Sequence, residues 1–204
     1  MFRHTYVRRA LLAVTAGAAV LTVAAGCGGK GTDHSGMPGM GGSASASAAK
    51  GDHNSADVMF AQMMIPHHRQ AVEMAALVPS RASSTKVKDL AKQIAGAQDP
   101  EIRTMSSWLR GWGEKVPAAG DGHGGMGMDD GMMSDADMAK LKAAKGTAFD
   151  TMFARMMIAH HNGAIAMARD EQRNGRNPAA VKLAKQIIRT QTAEVATLRD
   201  IAGG

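Results

Sequence analysis

The chain has 204 residues but a single cysteine, Cys27, and only seven aromatic residues. One cysteine forbids an intramolecular disulfide and rules out the Cys-x-x-Cys-His attachment of a c-type haem. The Glu-x-x-His pair that di-iron bundles place on two helices occurs nowhere. Gly-x-Ser-x-Gly and the phosphate-cradling Gly-rich loop are also missing, which removes the usual hydrolase and nucleotide signatures. No stretch alternates apolar and polar residues as a half-buried strand would. The formal charge is +6, yet no basic run is interleaved with aromatics, so nucleic acid is not an expected partner.

What the chain does have begins with an export signal. Arg3, Arg8 and Arg9 form a basic start, and Leu11 to Ala25 is an apolar run too short and Ala-rich for a membrane span. Ala24-Ala25-Gly26-Cys27 resembles a bacterial lipobox, in which the cysteine is lipid-modified and becomes the new N-terminus. Ala24 stands where that pattern prefers a branched aliphatic residue, and plain secretory cleavage is the alternative. A leader over 1–26, with Cys27 lipidated, places the protein on the outer face of the cell membrane and lowers its charge to +3. Residues 27–54 are Gly, Ser, Ala and Lys with scattered Met and His, the composition of a flexible tether.

Beyond the tether the sequence repeats itself. Phe60-Ala61-Gln62-Met63-Met64-Ile65-Pro66-His67-His68 returns as Phe153-Ala154-Arg155-Met156-Met157-Ile158-Ala159-His160-His161. Leu90-Ala91-Lys92-Gln93-Ile94 returns as Leu183-Ala184-Lys185-Gln186-Ile187 at the same spacing of 93 residues, as do Gln98 and Glu101 in Gln191 and Glu194. An ungapped repeat over two segments marks a duplicated structural unit. The units span 55–116 and 134–204, separated by a Gly-, Met- and His-rich loop over 117–133.

Periodicity makes each unit a helical hairpin. A first helix is expected from Ser55, ending by Pro79, and a second from about Ser84 to Gly113. Ser134 offers an N-cap for the helix carrying the second motif, with a bend or break near Gly146 and an end before Asn174-Gly175. Asn177-Pro178 begins the last helix, which runs to about Ala202. Two such hairpins bury their apolar stripes on one another as an all-α four-helix bundle, for which about 150 residues are ample.

The chemistry sits on the first helix of each hairpin. Phe60, Met64, His67, Ala71 and Met74 share one stripe, flanked by Met63, and His68 is rotated towards its edge. Phe153, Met157, His160, Ala164 and Met167 repeat the arrangement, with Met156 and His161 beside it. An imidazole at the centre of an apolar stripe is costly without a partner. Thioether and imidazole together suit a soft or borderline transition metal, with copper as Cu(I) or Cu(II) the leading candidate. Gln98, Glu101, Gln191 and Glu194 face the core of the second helices. Each glutamate could ligate directly or accept the second N–H of a histidine, the common outer-shell arrangement. In the loop, His123, Met126 and Met128 form a softer auxiliary set. Opposed to metal binding is a purely structural core of Met packing and His–Glu hydrogen bonds.

The Phe60…Met64-Ile65-Pro66-His67-His68…Ala71…Met74-Ala75 pattern resembles the signature of the bacterial domain-of-unknown-function family three hundred and five. The resemblance runs from about Asn54 onward, in two copies. It implies a ferritin-like bundle, export or lipid anchoring, and a link to copper binding and tolerance. Ala159 for Pro66, Asn162 after the second His pair, and Leu198 for Met105 mark the second copy as divergent. The expected function is therefore a non-enzymatic, extracytoplasmic copper-binding lipoprotein that sequesters or relays the ion, with a further protein in copper handling as a possible partner. An exported interaction or stress-response module with no metal is the alternative, and a redox or haem bundle a more distant one.

Overall fold

A computed structural model describes residues 52–118 and 131–203, all belonging to one unit, Ala44–Gly204. The leader, Cys27, the tether as far as residue 51, and His123, Met126 and Met128 lie outside the described residues. Five helices and no strand occur among those described: α1 (Ser55–Arg81), α2 (Thr85–Trp112), α3 (Asp135–Ala143), α4 (Gly146–Asn174) and α5 (Pro178–Gly203).

Local chemistry sets the ends of these helices. Asn54 and Asp57 form a reciprocal capping box at the start of α1, and Ser84 and Ser134 accept the first free N–H groups of α2 and α3. Asn177 accepts from Ala179 and Ala180 ahead of Pro178, whose missing N–H costs nothing at a helix start. Gly113, at φ +78°, ends α2 in the left-handed conformation that other residues resist.

One boundary differs from the sequence expectation, and the break expected near Gly146 is present. α1 continues through Pro79 to Arg81, because a proline there forfeits only the bond to the Ala75 carbonyl, while Ala82 N–H still closes on Val78 at 3.0 Å. The helix expected from Ser134 is two helices, interrupted at Ala144 and Lys145 before Gly146 at φ +61°. The short α3 is thus an addition to the second hairpin and not the start of it.

α1 pairs with α2 and α4 with α5, and the hairpins meet through α1 and α4, whereas α2 and α5 scarcely touch. The α1–α4 crossing is antiparallel. Phe60 and Met64 share a cluster with Met167 and Ala168, while Met74 and Val78 share another with Phe153 and Met157. This is a ferritin-like all-α bundle of two duplicated hairpins, with an apolar cluster at each end and His67, His68, His160 and His161, all fully buried, between them.

Each hairpin also caps the other. The Asp57 carboxylate accepts from the backbone N–H groups of Arg176 (3.1 Å) and Asn177 (2.9 Å) at the start of α5. Its repeat counterpart Asp150 accepts from Ser84 N–H (2.9 Å) and the Ser83 hydroxyl at the start of α2. A carboxylate at a helix N-terminus satisfies orphan donors and meets the positive end of the dipole. Burial alone would raise the Asp57 pKa, but the backbone donors of Asn54, Asn177 and Arg176, with Glu171, hold it below its ordinary value.

Buried Glu171 lies against Asp57, and burial first, then that carboxylate, push its pKa from 4.5 up to about 8. Glu171 is therefore protonated, and so uncharged, beside Asp57 at neutral pH. Because its pKa is raised on folding, the folded state retains a proton that the unfolded chain releases above pH 4.5. Stability from this group is complete below that value and declines until about pH 8. Glu171→Gln should flatten the fall in unfolding free energy across this window in urea titrations. Asp150→Ala should lower stability by about 1–2 kcal/mol at neutral pH, the usual cost of a lost helix cap.

Candidate metal centre

The antiparallel crossing of α1 and α4 brings the two His pairs into one layer. The rings of His67 and His160, equivalent by the repeat, face each other with centroids 3.7 Å apart and planes inclined by 37°. His160 and His161 have centroids 6.3 Å apart. Each hairpin ties down its own outer histidine from its second helix. His68 Nε2 donates to Glu101 Oε2 at 2.8 Å, and His161 Nε2 donates to Glu194 Oε2 at 2.7 Å. His68, expected near the edge of its stripe, is fully buried because α2 packs on that side and presents Glu101.

The hydrogen-bond inventory of this layer is incomplete. A neutral imidazole that donates from Nε2 carries its lone pair on Nδ1, and the Nδ1 atoms of His68 and His161 are buried with no hydrogen-bond partner. Neither ring nitrogen of His160 meets a well-aligned partner, and both amide atoms of buried Gln98 and the amide oxygen of Gln191 are likewise unsatisfied. Burial first, then the imidazoles of His67, His161 and His68, hold the His160 pKa well below its ordinary value, against a raising contact with the His67 backbone. Orphaned lone pairs of this kind are expensive in a core and suited to an ion.

Thioethers lie on both sides of the layer. Met64 and Met167 are buried with Met105 in one apolar cluster, and Met74 and Met157 in the other, while Met63 and Met156 are half-buried on the flanks. Among the described residues no three His, Cys, Asp or Glu side chains converge as a ready-made metal cage. The donor set that fits copper is mixed: imidazole nitrogens with bare lone pairs among sulfur side chains, with the two glutamates holding rings in place. Where α2 and α5 stand apart, a groove of about 780 Å³ has Glu194 in its wall, and each of the two glutamate side chains keeps 11% of its surface exposed. The carboxylate edge is thus where solvent comes nearest to the histidines.

The loop between the repeats is fastened beside the His pair at both described ends. Arg69 donates to the carbonyls of Pro117 (2.8 Å) and Ala118 (2.9 Å), and the Gln70 amide clasps Met133 through its carbonyl (2.8 Å) and N–H (2.7 Å). Gly131, at φ +76°, lies so close to α4 that a Cβ would overlap the Ala159 carbonyl oxygen. Sequence reasoning did not single out these anchors, nor Asp150 and Glu171. The pairing of Asp57 with Asp150 at the repeat spacing was the one signal available for the clasps.

The chain belongs to the DUF305 family, a domain of unknown function whose model matches residues 57–202. Crystal structures of DUF305 proteins from Streptomyces coelicolor and Deinococcus radiodurans are both 32% identical to it with TM-scores of 0.65. They cover 72% and 74% of this chain and 91% and 97% of their own. CopM in its Cu(II)-bound form is 35% identical, with a TM-score of 0.64 over 72% of this chain and 95% of CopM. CopM is also known in Cu(I)-bound, silver-bound and apo forms. No curated protein matches the chain.

The depressed pKa of His160 sets a pH dependence. In the metal-free fold the ring stays neutral below its ordinary value of 6.5, whereas the unfolded chain takes up a proton there, so this contribution to stability is lost as pH falls below 6.5. His160→Leu should reduce the slope of unfolding free energy against pH on the acid side of that value. The expected reduction, read by urea denaturation in a chelator, is at most one proton, about 1.4 kcal/mol per pH unit.

Proposed function

We propose that this DUF305 protein is an exported, lipid-anchored copper-binding protein that sequesters or relays the ion without catalysing a reaction. The observation that carries this reading is the buried layer of four histidines in which the Nδ1 lone pairs of His68 and His161 have no hydrogen-bond partner. His67 and His160, from the two repeats, would be inner ligands, joined by His68 and His161 through Nδ1, with Met64 and Met157 as nearby thioether donors. Glu101 and Glu194 orient the outer rings and raise their basicity, the common role of a carboxylate behind a metal-bound histidine. The copper- and silver-bound forms of CopM support the choice of ion, since both Cu(I) and Ag(I) favour thioether and imidazole. Attachment through Cys27 would hold the bundle outside the cytoplasm, where incoming copper is met first.

The test is a copper titration of the chain under reducing and oxidising conditions, followed by mass spectrometry of the bound metal. Parent protein should take up copper, and changing His67, His68, His160 and His161 together to Ala should abolish most high-affinity uptake. Glu101→Gln with Glu194→Gln should weaken it by about 10–100-fold while leaving the fold intact. If the thermal midpoint and metal content of the parent do not respond to copper, the exported-module reading replaces this one.

A further inference from the structure

The two ends of the bundle are built from the same methionines and finished differently. In the second repeat, half-buried Met152 and Met156 pack against the cluster of Met74, Met138, Leu141 and Phe149. In the first repeat, the equivalent Met59 and Met63 and the facing Met167 border an open pocket of about 530 Å³. Met59 is 59% exposed and is the one large apolar side chain that stands out in solvent among the described residues.

Substitutions at the repeat spacing account for the difference. Ala56 replaces Phe149, so no ring fills the space. On the facing helix, Asp170 and Glu171 stand where the other end has Leu77 and Val78.

We propose that this open end is a separate, superficial site for a soft monovalent ion, Cu(I) or Ag(I), held by the thioethers of Met59, Met63 and Met167. Three neutral sulfur donors suit such an ion and are poor ligands for hard divalent cations. The carboxyl groups do not change that preference, since Asp170 is paired with Arg173 and Glu171 is protonated beside Asp57. Position suits a first point of capture, because the pocket opens to solvent and shares Met63 and Met167 with the apolar cluster that borders the histidine layer. The proposal rests on the copper reading above, but it requires binding independent of the histidines.

The experiment uses the full chain, reduced and anaerobic, titrated with Cu(I) against a chromogenic chelator. In parallel, Ag(I) is titrated while the ¹³C-methyl NMR signals of the methionines are followed. Met59→Leu, Met63→Leu and Met167→Leu are combined, since Leu keeps the volume and removes the sulfur, and circular dichroism checks the fold. The expected result is loss of one Cu(I) equivalent in the Leu variant and its retention in the four-histidine variant, with early Ag(I) shifts at Met59, Met63 and Met167. Unchanged stoichiometry in the Leu variant, or methyl signals of these three that ignore Ag(I), overturns this site and leaves the histidine centre standing. Loss of all Cu(I) binding in the four-histidine variant also overturns it. A parent that binds no copper fails the underlying reading, and this site with it.

Discussion

Burying four imidazoles in one layer is the constraint around which this bundle is arranged. Each ring must be desolvated, and the second helices answer with carboxylate acceptors, Glu101 for His68 and Glu194 for His161. Those bonds are also what fix α2 against α1 and α5 against α4 at the level of the layer. The inner pair, His67 and His160, lie each against its own copy from the other repeat, and neither ring nitrogen of His160 meets a well-aligned partner. A core optimised for stability alone would have placed Leu at such positions, since an unsatisfied buried polar group costs of order 1–3 kcal/mol. The cost is consistent with a ligand that completes the layer.

Duplication explains both the symmetry and its defects. The antiparallel α1–α4 crossing places equivalent residues opposite one another, and the same operation relates the Asp57 and Asp150 clasps that cap each hairpin with the other. Departures from symmetry then become informative. Val78 gives way to Glu171 and Phe149 corresponds to Ala56, so two equivalent sets of methionines meet different surroundings.

Much of the fold was legible because helices announce themselves through local chemistry. Asn54, Ser84, Ser134 and Asn177 mark starts, Gly113 marks a stop, and the 3.6-residue stripe points each helix inward. The Pro79 boundary was misplaced because proline near a helix end removes a single hydrogen bond, a smaller penalty than in the interior. The interruption at Ala144 and Lys145 was foreshadowed by Gly146 alone. The histidines and their glutamate partners were identifiable as candidates, since both recur at the same offset. The clasps were not, because an aspartate that caps a helix 66 residues away, as Asp150 does, or 120 away, as Asp57 does, looks identical to one that caps its own.

The sequence by itself determined the duplication, the helical class and the inventory of soft donors, because period and spacing are properties of a single chain segment. Tertiary structure decided which of those donors meet. Only the crossing of α1 and α4 sets His67 against His160 and leaves the lone pairs of His68 and His161 bare. Only packing decides that Met152 lies half-buried against the Phe149 cluster while its counterpart Met59 stands in solvent beside an open pocket. Contact between helices depends on distance and angle in three dimensions, and no count along the chain contains either.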